Sequence, residues 1–210
     1  MLIPVNLSNA LLLDFSASNP DLAPNRVPPL DLTNTAVFTT YVFGKLRAAR
    51  AEAGIGGYNE HRVIYRRSEH FTGAAPREIH LGVDIWAKAG TPVFAPKDGM
   101  VHSFQDNARF GDYGPTIILQ HDLNGKTVYS LYGHLTRKSL EGLYEGREFG
   151  AGDKLAEIGP YPENGDWPPH LHFQLITDLL GHWGDFPGVC SVADREQFLS
   201  ICPDPMEWIC

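Results

Sequence analysis

Thr116-Ile117-Ile118-Leu119-Gln120-His121 and Lys126-Thr127-Val128-Tyr129-Ser130-Leu131 flank Asn124-Gly125, and this stretch decides the fold. Both runs are rich in β-branched and aromatic residues. Asn-Gly between them satisfies a type I′ turn, whose two central residues need positive φ. The reading is an antiparallel hairpin. Similar short runs lie on either side of it. Pro92-Val93-Phe94-Ala95 and Met100-Val101-His102-Ser103-Phe104 flank the turn Pro96-Lys97-Asp98-Gly99, and Val63-Ile64-Tyr65 reads as a further strand. Lys154–Ile158 and His170–Ile176 complete the set. Strands at roughly ten-residue spacing predict an antiparallel sandwich or barrel. Upstream the period changes. Asn34 can cap a helix over about 35–53, with Val37, Phe38, Tyr41, Val42, Leu46 and Ala49 on one face and Gly54, Gly56 and Gly57 stopping it. Pro4, Pro20, Pro24, Pro28 and Pro29 make residues 1–33 extended chain, loose over its first thirty residues.

The chain has 210 residues, enough for an apolar core without disulfide or metal staples. Its 43% hydrophobic and 20% charged residues are ordinary for a globular protein. The net charge of −8 argues against a broad nucleic-acid surface, which needs a basic excess. No run approaches the eighteen or so apolar residues of a membrane span. The N-terminus lacks a basic start, and Leu11-Leu12-Leu13 is too short for the core of a secretory signal, so a cytoplasmic location is most consistent with this stretch. Cys190, Cys202 and Cys210 match neither a disulfide framework nor a metal knuckle and read as small buried or frayed thiols.

The histidines carry the chemistry. In His170-Leu171-His172-Phe173-Gln174-Leu175, alternation turns Leu171, Phe173 and Leu175 to the core and His170, His172 and Gln174 to the other side. Two histidines on one strand face lie about 7 Å apart, which suits one metal ligand and one neighbour better than two ligands. In His80-Leu81-Gly82-Val83-Asp84 a straight strand would separate His80 from Asp84 by about 13 Å. Both can reach one ion only if the chain bends, and Gly82 supplies the backbone freedom. Tyr132-Gly133-His134-Leu135 puts His134 where a strand becomes a loop.

HxGxD, then Gly90-Thr91-Pro92-Val93-Phe94-Ala95-Pro96-Lys97-Asp98-Gly99-Met100-Val101, then YGHL, then HLHF, in that order over about 78–178, resembles the M23 metallopeptidase family, the LytM- and lysostaphin-like group. The resemblance implies a mainly β domain whose antiparallel, sandwich-like sheet carries one Zn²⁺ in a groove. It implies His80, Asp84 and His172 as metal ligands, His134 and His170 as catalytic residues, and peptidoglycan-type peptides or muropeptides as substrate. Three protein ligands leave a fourth position for water, as catalytic zinc sites do, and zinc lowers the pKa of that water. There is no HExxH glutamate, so a neutral histidine is the available base. The organisation expected is a helical N-terminal extension over 1–60, the M23-like domain over 61–180 and a C-terminal extension over 181–210.

Other readings stay open. One is a non-catalytic metal-, glycan- or peptide-binding module, and another a cytoplasmic amide hydrolase related to larger fusion enzymes. The GTPVxAPxDGxV run also resembles biotinyl and lipoyl carriers, but neither Lys97 nor Lys126 has the methionine-flanked context of a modified lysine. His121 reads either as an edge-strand histidine or as a further candidate for the groove, while His61, His70, His102 and His182 read as structural or surface. Trp86, Trp167, Trp183 and Trp208 read as packing, with Trp167 also placed to line the groove. The glycine-rich segment Gly54–His61 reads either as a plain surface loop or as a groove wall, with Asn59 or His61 approaching the metal's open position.

Overall fold

A computed structural model describes residues 1–23, 25, 27–28, 30–69, 71–73 and 75–209. Pro24, Arg26, Pro29, His70, Ala74 and Cys210 lie outside the described residues, and with them the readings of His70 and Cys210. In chain order the elements are β1 (Leu11–Leu13), α1 (Thr35–Ala49), β2 (Gly54–Gly56), β3 (Arg77–His80), β4 (Val83–Trp86), β5 (Pro92–Phe94) and β6 (Gly99–Asn107). There follow β7 (Gly114–Leu123), β8 (Lys126–Gly133), β9 (Glu148–Phe149), β10 (Lys154–Glu157), β11 (Leu171–Ile176), β12 (Val189–Ser191), α2 (Arg195–Ile201) and α3 (Met206–Ile209). The protein is mainly β and its sheets are antiparallel, apart from the short β1–β2 pair, which is parallel.

The hairpin forms as its turn residues dictate. Asn124 and Gly125 have φ of 57° and 82°, and Leu123 pairs with Lys126 at the tip of β7–β8. The hairpin lies within one eight-stranded sheet of order β1-β2-β4-β11-β8-β7-β6-β9. Strand β5 pairs with β10, so Pro96–Gly99 joins two strands of different sheets and is not a hairpin turn. Local sequence marks a turn but does not say which strand pairs with which. Val63-Ile64-Tyr65 is not a strand. Ile64–Arg67 forms a single 3₁₀ turn whose Ile64, Tyr65 and Arg67 are all buried. A short apolar run of this kind fits strand or helix equally well.

Helix α1 is capped by Asn34, whose Oδ1 accepts from the N–H groups of Ala36 and Val37. It ends at Ala49, earlier than the glycines, because Arg50 turns left-handed at φ 54°. Thr35, Phe38, Val42 and Leu46 are buried, whereas Val37 and Ala49 face solvent. The glycines have another use: Gly54–Gly56 is β2 itself, paired with β4. Among its described residues the N-terminal segment is extended apart from 3₁₀ turns at Leu7–Asn9 and Pro20–Leu22, and it is not loose at Leu2, Ile3 and Phe15, which are fully buried.

Alternation along two neighbouring strands builds the site. Val83 and Ile85 of β4 and Leu171, Phe173 and Leu175 of β11 join one apolar cluster with Ile117, Leu119 and Tyr132. Asp84, Trp86, His172 and Gln174 therefore project from the opposite face. Register places Asp84 directly opposite His172, with Gly56 beyond Asp84 on β2 and Gly133 beyond His172 on β8. A row Gly56–Asp84–His172–Gly133 thus crosses four strands, and its two glycines leave room above the sheet on either side of the polar pair.

Candidate metal centre

His80 reaches this row from the end of β3, in the two-stranded sheet with β12, and Leu81-Gly82 carries the chain on into β4. Gly82 matters for space rather than for an unusual φ. A Cβ there would lie 2.6 Å from the Phe173 carbonyl oxygen and 2.8 Å from the His172 ring. The replacement Gly82→Ala is expected to lower unfolding stability by about 1–3 kcal/mol through overpacking. It should also weaken metal binding by displacing the His172 ring. A denaturant melt read beside a chelator-competition titration checks both.

Three donor atoms converge. His80 Nε2 lies 3.1 Å from His172 Nδ1 and 3.2 Å from Asp84 Oδ1, and His172 Nδ1 lies 3.1 Å from the same oxygen. Tetrahedral bonds of 2.0–2.1 Å put neighbouring donors about 3.3 Å apart, so the triangle is close to one face of a zinc tetrahedron. Each ring is also held in the required tautomer. His80 donates Nδ1–H to the Gly57 carbonyl at 2.8 Å, which leaves Nε2 as the lone pair. His172 Nε2 lies 2.9 Å from Gln174 Oε1. The Gln174 amide is oriented by its NH₂, which donates to the Pro187 carbonyl at 3.2 Å and to Cys202 Sγ at 3.4 Å. His172 therefore donates from Nε2, and its Nδ1 lone pair faces the other two donor atoms. Outer hydrogen bonds of this kind orient metal-binding histidines generally. Burial, with the nearby Arg62 charge, lowers the His80 pKa to about 4, so the ring is neutral at pH 7. Burial alone would raise Asp84, but the Arg62 guanidinium on its Oδ2 outweighs it and holds the carboxyl well below its ordinary range. The His80, Asp84 and His172 donor set suits a divalent ion such as zinc.

His170 and His134 stand beside the triangle. His170 immediately precedes β11; its ring stacks on Trp86 with centroids 4.1 Å apart, and its Nε2 is 3.9 Å from Asp84 Oδ1. His134 lies just past β8 at φ 62°, an uncommon conformation for a residue with a side chain. Its N–H donates to the Tyr113 carbonyl, and its own carbonyl accepts from Gly159, each at 2.8 Å, which fixes that backbone. The two rings are 4.1 Å apart between centroids. His170 donates Nδ1–H to the Pro168 carbonyl and His134 donates Nδ1–H to the Asn164 carbonyl, both at 2.8 Å. Each Nε2 is left as a lone pair. Burial lowers the His170 pKa to about 4, and burial with the neighbouring His170 places His134 well below the usual histidine value.

Compared with families of known proteins, residues 78–180 match Peptidase family M23. This part of the chain belongs to that family. A DD-carboxypeptidase/endopeptidase, Mpg, of Neisseria meningitidis serogroup B is 32% identical over 126 residues, covering 57% of this chain and 26% of that protein. An uncharacterized metalloprotease of Haemophilus influenzae is 31% identical over 129 residues, covering 57% of this chain and 24% of that protein. The chain thus spans about a quarter of the length of the curated relatives it matches. Among solved structures, the catalytic domain of the antimicrobial peptidase lysostaphin from Staphylococcus simulans is 26% identical. That match covers 63% of this chain and 80% of the domain at a TM-score of 0.43.

The M23 segment does not build its cleft alone. The space of about 750 Å³ in front of the triangle is lined by Asp84, His134, His170 and His172, but also by Arg62 and Tyr65 upstream and by 185–189 downstream. Trp86 and Trp167 line it as well, so each combines packing with a place at the site. His182, read from sequence as structural or surface, is on the cleft wall. His121 is not. It is buried between the Asp98 carbonyl and Ser130 Oγ, both at 2.7 Å, and packs against Trp208. His61 is exposed and pairs with Glu78 at 2.9 Å, while Asn59 accepts from Arg195 Nε at 2.8 Å. Neither approaches the triangle. The segment 54–61 contributes instead through the Gly57 carbonyl on His80 and through Glu60, the partner of Arg62. His102 packs between Tyr129 and Trp183 on another surface. Cys190 and Cys202 are buried free thiols, as expected. Among the described residues no helix is long and apolar enough to cross a membrane.

Proposed function

We propose that the chain is a zinc-dependent endopeptidase that hydrolyses peptide bonds in peptidoglycan-type or related small peptides. The observation that carries this reading is the donor triangle of 3.1–3.2 Å with two neutral, buried histidines beside it at the cleft. His80 through Nε2, Asp84 through Oδ1 and His172 through Nδ1 would hold the ion. A bound divalent ion supplies Lewis acidity, polarising the scissile carbonyl and making water a nucleophile near neutral pH. The remaining work belongs to the side chains. The Nε2 lone pairs of His134 and His170 can accept the proton that water gives up on attack. A ring so protonated can donate to the developing oxyanion or to the departing amine. Trp86, stacked on His170, and the Pro168 and Asn164 carbonyls hold both rings before substrate arrives, so little reorganisation is left for the reaction. The M23 membership of residues 78–180 and the resemblance to a DD-carboxypeptidase/endopeptidase support peptidoglycan-type peptides as the substrate class.

The test is metal analysis of the purified chain, followed by mass spectrometry of cross-linked muropeptides and glycine-rich peptides incubated with it. One zinc per chain is expected, with products heavier by one water distributed over two fragments, and loss of cleavage on chelation. Stoichiometric zinc with every peptide intact would replace the peptidase reading by a metal-containing binding module.

A further inference from the structure

Asp84 divides its two oxygens between different partners. Oδ1 belongs to the donor triangle, and Oδ2 accepts from Arg62 Nη1. Arg62 lies sixteen residues before the start of the M23 match, and it is 1% exposed. A guanidinium that deep needs compensation on every side, and it has it. Nε donates to Glu60 Oε2 at 2.7 Å, Nη1 lies 3.1 Å from Tyr65 Oη, and Nη2 donates to the Gly57 carbonyl at 3.3 Å. Glu60 is fixed in turn, its Oε1 accepting from the Phe15 N–H at 2.8 Å. The sheet is shaped for this. A Cβ on Gly56, next to Asp84 in the row across the sheet, would lie 2.6 Å from Arg62 Nη2. The guanidinium occupies the space that this glycine leaves.

A carboxylate can meet a metal ion with one oxygen or with both, and zinc tolerates either four or five ligands. Nothing about Asp84 alone chooses between these modes, whereas a partner on Oδ2 can. Resting on the metallopeptidase reading above, we propose that Arg62 is a positioning residue of the metal centre. It ties down Oδ2 so that Asp84 offers the ion a single oxygen and the remaining coordination position stays free for the reaction. Charge points the same way. Asp84 and Glu60 contribute two negative charges and Arg62 one positive charge, so a divalent ion leaves the cluster with one net positive charge. Without Arg62 the cluster would bind the ion at net zero. The arginine therefore gives up some metal affinity and leaves a more electrophilic centre. Its planar fork is what spans Glu60 and Asp84 together, which a lysine ammonium does less well.

This differs from a merely structural role in what it predicts. If Arg62 only held the fold, Arg62→Met would lose metal and activity together. As a positioning residue, its loss leaves the metal bound and changes how it is bound. The experiment uses the full chain loaded with Co²⁺, whose visible bands are intense in a four-coordinate tetrahedral site and weaken as coordination number rises. Wild type should give intense bands. Arg62→Met should retain one ion per chain, show weakened bands, and lose roughly 10–100-fold in kcat/KM, the usual scale for outer partners of a ligand. Arg62→Lys, which keeps a charged donor, should recover the four-coordinate bands and part of the rate. Unchanged bands in Arg62→Met, or loss of the ion in step with activity, overturns the proposal and leaves the peptidase reading standing. X-ray absorption at the zinc edge of wild type needs no variant to fold, and two Asp84 oxygens at bonding distance there would also overturn it. A wild-type chain that takes up no ion overturns the metal reading, and this proposal with it.

Discussion

Replacing Asp84 by alanine is expected to empty the metal centre and abolish hydrolysis together. Asp84 is the one anionic donor of the triangle, and its Oδ1 is within 3.1–3.2 Å of both histidine donor atoms. Two neutral imidazoles remaining on a divalent ion make a weak site. Loss of an outer partner alone costs roughly 10–100-fold in affinity or activity, so loss of the ligand itself should exceed about 100-fold in affinity. The same substitution frees Arg62 Nη1 from its charge partner, which leaves a buried cation depending on Glu60. Some loss of stability is therefore expected as well. Asp84→Asn separates the two effects. The amide keeps the shape, and its oxygen can still accept from Arg62, but the negative charge is gone. Elemental analysis after dialysis, with a thermal melt on the same samples, should find both variants without zinc and only Asp84→Ala markedly destabilised. Full zinc content in either variant would remove Asp84 from the ligand set.

How much of this is legible in the sequence depends on how local each determinant is. The β7–β8 hairpin is local. Asn124-Gly125 fixes the turn, and alternation in β11 says that Leu171, Phe173 and Leu175 are buried together while His172 and Gln174 share the other face. The motifs likewise mark the five residues that the fold brings together, four on the cleft wall and His80 at the third corner of the triangle. Strand partners are less legible, because pairing is set by the whole sheet. Nothing near Pro92–Phe94 announces that its partner is Lys154–Glu157 rather than the next strand. Arg62 is the clearest omission. It sits in an irregular segment with no period to read, and its two acidic partners lie 2 and 22 residues away. A charged side chain is ordinarily read as surface, and only the assembled sheet with Gly56 beneath reveals it as buried. Gly82 carries the opposite lesson. The glycine is legible and its reason is not, since what it avoids is the backbone and ring of a strand about ninety residues on.

Removing either auxiliary histidine should separate binding from chemistry. His134 and His170 contribute no atom to the donor triangle, so His134→Ala and His170→Ala should each keep one zinc per chain. Each should lower kcat/KM by roughly 10²–10⁴-fold, the scale of a lost acid–base group. The rings are 4.1 Å apart and line the same cleft, so on the peptidase reading they would act on one transition state. The double variant should then fall well short of the product of the two single losses. His170 has a second attachment, its stack on Trp86 at 4.1 Å, so its alanine variant opens a gap beside Asp84 that the His134 variant does not. His170→Ala is accordingly expected to show the larger secondary loss of stability. His172→Ala is the contrast, losing zinc and rate together because its Nδ1 is a donor of the triangle. Zinc stoichiometry beside kcat/KM for the four variants decides the matter. Should His170→Ala empty the site while His172→Ala leaves it filled, the roles of the two histidines are exchanged; equal activity in all of them would end the peptidase reading.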